Sequence, residues 1–116
     1  MARLGGREAI GRKHPRSEPA SLIVGVLRVN LFLPENHSLK GKRSVLKSIQ
    51  GRVAHEFNAS VAECGGQELW QSAVLGFSVI GSSSQVVEST LQQIIEFVDR
   101  LNLAQRVDTA VELFQV

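Results

Sequence analysis

From residue 22 onward the apolar residues change period in a fixed order, and that order limits the possible folds more than any other feature of the chain. Residues 22–33, LIVGVLRVNLFL, alternate with period two. Ile23, Leu27, Val29, Leu31 and Leu33 take one face, and Val24, Val26, Arg28, Asn30 and Phe32 take the other. Pro34 ends this strand. Over 39–57 the period becomes helical, with Leu39, Leu46, Ile49, Val53 and Phe57 on one stripe and Ser38 placed as an N-cap. Residues 59–64 read as a short strand, Gly65-Gly66 as a turn or bulge, and 73–80, AVLGFSVI, as a second β run. Helical spacing returns over 84–101 through Val87, Leu91, Ile94, Ile95, Val98 and Leu101, with Ser82 and Gln85 fitting a capping box. Residues 106–115 set Val107, Thr109, Val111 and Leu113 against Asp108, Ala110, Glu112 and Phe114, a last strand.

The order is β-α-β-β-α-β. Two right-handed crossovers around a central hairpin predict an α+β, ferredoxin-like fold: a four-stranded antiparallel sheet with both helices on one face. The length, 116 residues, suits one domain. A single Cys excludes a disulfide framework, and no apolar run is long enough to span a bilayer as a helix.

Net charge is +2, but the excess is local. Residues 1–20 hold five Lys/Arg and two Glu, while the remaining 96 hold eight basic and nine acidic groups. With three Gly, two Pro and few large aliphatics, 1–20 reads as a flexible basic leader and 21–116 as the folded domain. The leader lacks the apolar core of a secretory signal, so the expected compartment is the cytoplasm, and the Asn-x-Ser triplets at Asn36 and Asn58 are chance matches.

Three segments together carry a family resemblance: VGVLRV at 24–29, SLKGKRSVLKS at 38–48, and SVAE at 60–63 leading to LWQSAVLG at 69–76. In order and spacing this resembles the YlxP-like family, a small bacterial domain of unknown function, over nearly all of 22–115. The resemblance implies a ferredoxin-like fold and a bacterial cytosolic protein. It also implies a gene neighbourhood of translation-initiation and ribosome-maturation genes. It supplies no catalytic residue. Members usually carry Glu where this chain has Gly41 and Asp where it has Glu68; the first change removes a capping-box partner for Ser38.

Between His37 and Arg52 lie five cations, Lys40, Lys42, Arg43, Lys47 and Arg52, and no anion. Lys40, Arg43 and Lys47 follow i, i+3, i+7 spacing and share a helix face. Several fall in the first turns, where the helix dipole disfavours cations by about 0.3–1 kcal/mol each. An anion completing the site would offset that cost. Residues 53–116 hold eight acids and two Arg, so the molecule is electrically polar, and ribosomal or other structured RNA is the abundant cytosolic candidate for the positive pole. The competing reading is a solvated charged face.

The second reading is homo-oligomerisation. The helix-free sheet face is expected to show Val24, Val26, Phe32, Val74, Ile80 and Phe114 among Arg28, Asn30, Ser78 and Glu112, with Phe32 and Phe114 as anchors. Trp70 reads either as an interface anchor or as a packing lid over the sheet edge.

Other chemistry lacks a pattern. Gly41-Lys42 fails the phosphate-loop motif, because Asn36 and Arg43 stand where Gly and Ser/Thr are needed. The strands lack the aromatic pairs of an RNA-recognition motif. Cys64 has no redox partner, His14, His37 and His55 are dispersed, and the serines at 82–84 read as capping. The expectation is therefore a non-enzymatic binding protein, with no catalytic residue, metal or cofactor assigned and no small-molecule substrate marked.

Overall fold

The computed structural model describes residues 20–116, so the expected leader, apart from Ala20, lies outside the described residues. The elements are β1 (Ile23–Phe32), α1 (Leu39–Glu56), β2 (Ser60–Gly65), β3 (Ser72–Gly81), α2 (Ser84–Leu101) and β4 (Gln105–Gln115). They form one sheet of order β2-β3-β1-β4 in which every neighbouring pair is antiparallel. This is the ferredoxin-like α+β arrangement that the alternating periods predict.

The period-two face of β1 decides the core. Leu27, Val29, Leu31 and Leu33 are buried with Leu75, Phe77 and Val79 of β3, under Leu46, Ile49 and Val53 of α1 and Leu91, Ile94 and Val98 of α2. Phe57, just past α1, meets Phe97 of α2 edge-to-face at 5.5 Å and ties the two helices together. Gly25 is required where α2 crosses β1. A Cβ there would lie 2.5 Å from Val87 Cγ1 and 2.8 Å from Leu91 Cδ1, so the helix packs directly on the strand backbone.

The cap of α1 is as predicted: the Gly41 amide donates to Ser38 Oγ at 3.0 Å. The cap of α2 is one residue later than expected. Ser83 is the extended residue before Ser84, and its Oγ accepts from the Val86 amide at 3.3 Å. The alternation in β4 also breaks once. Asn30 faces Asp108 but Leu31 faces Arg106, which makes Val107 an extra residue in a bulge. Arg106 braces this point, donating to both carboxylate oxygens of Asp99 at 2.9 and 2.8 Å and to Thr109 Oγ1 at 2.9 Å.

The helix-free face is ordered by the register into rows. Ile80, Val24 and Phe114 form one row, followed by Ser60, Ser78, Val26 and Glu112, then Ala62, Gly76, Arg28 and Ala110, then Val74, Asn30 and Asp108.

Candidate functional site

Lys42 corrects the expected basic patch. It is 1% exposed and lies on the buried stripe with Leu46, Ile49 and Val53, turned away from solvent. Its Nζ donates to the carbonyls of Gly66 at 2.6 Å and Ser72 at 3.1 Å, and more weakly to Gln67 at 3.4 Å. Glu63 of β2 supplies the counter-charge, with Oε2 at 3.5 Å. A buried ammonium persists only when its donors are satisfied and its charge is paired, and here both conditions are met. Lys42 is thus a clamp on the β2–β3 loop, and its charge is not available to an external anion.

The remaining cations divide. Lys40, Arg43 and Lys47 are exposed along one side of α1, beside the buried stripe of Lys42, Leu46, Ile49 and Val53. At about 100° per residue, Arg52 sits roughly 120° or more round the axis from these three, so it does not join their ridge. Residues 39–55 contain no acid, and among the described residues no ion pair involves Lys40, Arg43 or Lys47.

At the N-terminal end of this ridge two loops are joined. Asn36 Nδ2 donates to the carbonyl of Ser38, the α1 cap, at 2.7 Å and to that of Trp70 at 2.6 Å, so these two carbonyls lie within about 5 Å of each other. Gln71 Nε2 donates back to the carbonyls of Pro34 and Asn36, at 3.0 and 3.1 Å, and the Leu33 amide donates to the Gln71 carbonyl at 2.8 Å. Gly41 makes room for the Asn36 amide, since a Cβ at 41 would run into Asn36 Oδ1. Gly41 is therefore compatible with the Ser38 cap and leaves room for the Asn36 bridge.

This corner presents Trp70. Trp70 is 56% exposed, with Leu69 also exposed beside it, so more than half of the residue faces solvent. Three buried or half-buried polar side chains, Lys42, Asn36 and Gln71, hold the segment that carries it. Trp70 was marked by its type in the sequence. Asn36 and Gln71 were not, because neither its spacing nor its neighbours signals that an amide will bridge two loops.

The two other expected anchors do not meet. Phe32 is 37% exposed and Phe114 pairs opposite Val24, so they sit eight residues apart along β1, about 26 Å. Between them lie Arg28, paired with Asp108 at 3.0 Å, and Asn30, whose buried Oδ1 accepts no hydrogen bond. The apolar part of the face is one end only, where Ile80 is 66% exposed and Leu22 and Val116 are also exposed. A shallow depression of about 310 Å³ lies nearby, lined by Val26, Ser60, Ala62, Cys64, Gly76 and Ser78. Among the described residues no cluster of His, Cys, Asp and Glu has the makings of a metal site, and no helix is long and apolar enough to cross a membrane.

Comparison with known proteins gives one family. The family model described as "Protein of unknown function (DUF503)" matches residues 24–111. The chain is 35% identical over 92 residues to the uncharacterised protein YlxP of Bacillus subtilis (strain 168), covering 79% of this chain and all of that protein. Among solved structures it is similar to the apo C-terminal domain LarC2 of a cyclometallase involved in making the NPN cofactor of lactate racemase, with TM-score 0.47 and 13% identity over 83% of this chain and 57% of that one. It is also similar to the de novo designed protein Ferredog-Diesel, with TM-score 0.44 and 14% identity over 88% and 94% of the two chains. Likenesses this weak say nothing about function.

Proposed function

The chain belongs to the DUF503 family, whose function is unknown, and on that premise we propose that it is a non-enzymatic RNA-binding protein that docks on ribosomal or other structured RNA through α1. The observation that carries the reading is the ridge of Lys40, Arg43 and Lys47: three exposed cations on one side of a helix that holds no acid before Glu56. Unpaired cations gathered on one face attract a polyanion, and each phosphate they neutralise releases counterions. Burial of Lys42 reduces the expected set of contacts from five to these three, with Arg52 on another flank.

The test is co-sedimentation of the full chain with ribosomal subunits at low and moderate salt. The variant Lys40→Gln/Arg43→Gln/Lys47→Gln is compared with Gln85→Glu/Gln92→Glu/Gln93→Glu, which changes net charge equally on α2. The reading expects the α1 variant alone to stay in the supernatant. It also expects the log–log salt dependence of RNA affinity to flatten by about 2, from roughly 0.7 per lost contact. Equal behaviour of the two variants refutes it.

A second reading, self-association through the helix-free face, is favoured by the row of Ile80, Val24 and Phe114 at its apolar end. A two-fold dimer needs only one self-complementary patch. A sedimentation velocity series over protein concentration tests it.

A further inference from the structure

We propose that Trp70 is a base-stacking platform at the end of the α1 ridge, so that the ligand is single-stranded RNA, with one base on the indole and the adjoining phosphates on Lys40, Arg43 and Lys47. The proposal rests on the RNA reading above and narrows it to an unpaired strand.

The argument begins with what it costs to present this side chain. An exposed Trp on a loop is ordinarily free to fold down on apolar surface and hide its ring. Here the segment around it is held at several points. Lys42 binds the Gly66 and Ser72 carbonyls on either side of it, Asn36 binds the carbonyl of Trp70 itself, and Gln71 ties the next residue to Pro34 and Asn36. A buried lysine with its glutamate is a costly way to fix a surface loop. Its effect is to fix the backbone that carries an exposed indole. Rigid presentation is what a stacking platform needs, because the ring then loses little entropy when a base covers it.

The second step is position. Asn36 bonds the Trp70 and Ser38 carbonyls through one nitrogen, so the indole is carried by a residue that the Asn36 amide bridges to the cap of α1. Lys40 lies two residues past that cap. Lys40 to Lys47 is about 10 Å along the helix axis at about 1.5 Å per residue, long enough to face more than one phosphate of a strand leaving the indole.

The third step is the state of the RNA. In an A-form duplex the base faces are stacked on one another, and a protruding ring has nothing to stack on. An unpaired base offers its face whatever its identity. The sheet supplies no competing platform: its central positions carry Arg28, Asn30, Gly76 and Ser78, and Phe32 and Phe114 stand at opposite ends.

Trp70 is the only Trp in the chain, so its fluorescence reports on the proposed contact with no label. The full-length protein is titrated at low salt with hexauridylate and with a short blunt RNA duplex, and affinities are measured in parallel by anisotropy of end-labelled RNA. The proposal expects the hexamer to quench the emission, with no quenching by duplex. Trp70→Ala should weaken hexamer binding about 5- to 150-fold, and Trp70→Phe should hold it within a few-fold. Matching thermal midpoints by far-UV circular dichroism show that the variants are folded. If the hexamer binds Trp70→Ala as tightly as the parent while Lys40→Gln/Arg43→Gln/Lys47→Gln binds weakly, stacking is overturned and the ridge reading stands. If the parent does not bind the hexamer, stacking on an unpaired strand is overturned, while the ridge reading stands or falls on the co-sedimentation with ribosomal subunits.

Discussion

Replacing Lys42 with Met tests the view that this lysine is a clamp and not a ligand-binding cation. Met keeps the length and apolar stem of the side chain but removes the ammonium. The carbonyls of Gly66 and Ser72 then lose donors at 2.6 and 3.1 Å, and Glu63 loses its counter-charge. A hydrogen bond to a charged group contributes about 1.5–3 kcal/mol, and breaking a buried ion pair from one side costs about 3–5 kcal/mol. Glu63 keeps a side-chain exposure of 24%, but the Oε2 that faces Lys42 is itself buried and accepts no hydrogen bond, so solvent offsets only part of the loss. The expected destabilisation is about 3 kcal/mol, or a drop in Tm of roughly 15 °C for a domain of this size. Urea unfolding followed by far-UV circular dichroism gives the free energy. The double variant Lys42→Met/Glu63→Leu should recover at least about 1 kcal/mol, because it no longer strands a carboxylate. A loss below about 1 kcal/mol in Lys42→Met, with no recovery in the double variant, refutes the clamp.

Four further outcomes follow from the same geometry. Gly51 lies inside α1 with open space where a Cβ would project, so Gly51→Ala should raise stability by about 0.5–1 kcal/mol in thermal unfolding. Gly25→Ala should do the opposite, costing about 1–3 kcal/mol, because the added methyl displaces Val87 and Leu91 of α2. The hydrogen bonds from Arg106 hold the Asp99 carboxyl below its ordinary value of 3.8, so this pair stabilises the fold above about pH 4 and the contribution fades as pH falls through the lowered value. Asp99→Asn should therefore cost less than about 1 kcal/mol at pH 7, since the pair is exposed, and its deficit should vanish in acid. If the sheet face self-associates, Ile80→Asp should abolish the concentration dependence of the sedimentation coefficient while the Lys40, Arg43 and Lys47 variant leaves it intact.

The fold was legible because it rests on periods. Alternation in β1, β3 and β4, the two helical stripes and the short run at 59–64 locate all six elements, and their order leaves one common topology. The misplaced cap of α2 shows the limit of that reading: three consecutive serines at 82–84 are equally good caps in isolation, and the fold uses Ser83. The bulge at Val107 was equally hidden, because an extra residue leaves no mark in a strand that alternates on both sides of it.

The basic patch shows the same division more sharply. The sequence determined that five cations fall in one segment, that they occur without acids, and that three of them share a face. It could not distinguish Lys42 from its neighbours, although position 42 fills the gap in the stripe of Leu46, Ile49 and Val53. A lysine at a core position is stable only if carbonyls and a carboxylate arrive from elsewhere, and those come from Gly66, Ser72 and Glu63, more than 20 residues away. Local period sets which way a side chain points, whereas the partners that make a buried charge tolerable, or hold a tryptophan out in solvent, exist only once the β1–α1 and β2–β3 loops have come together.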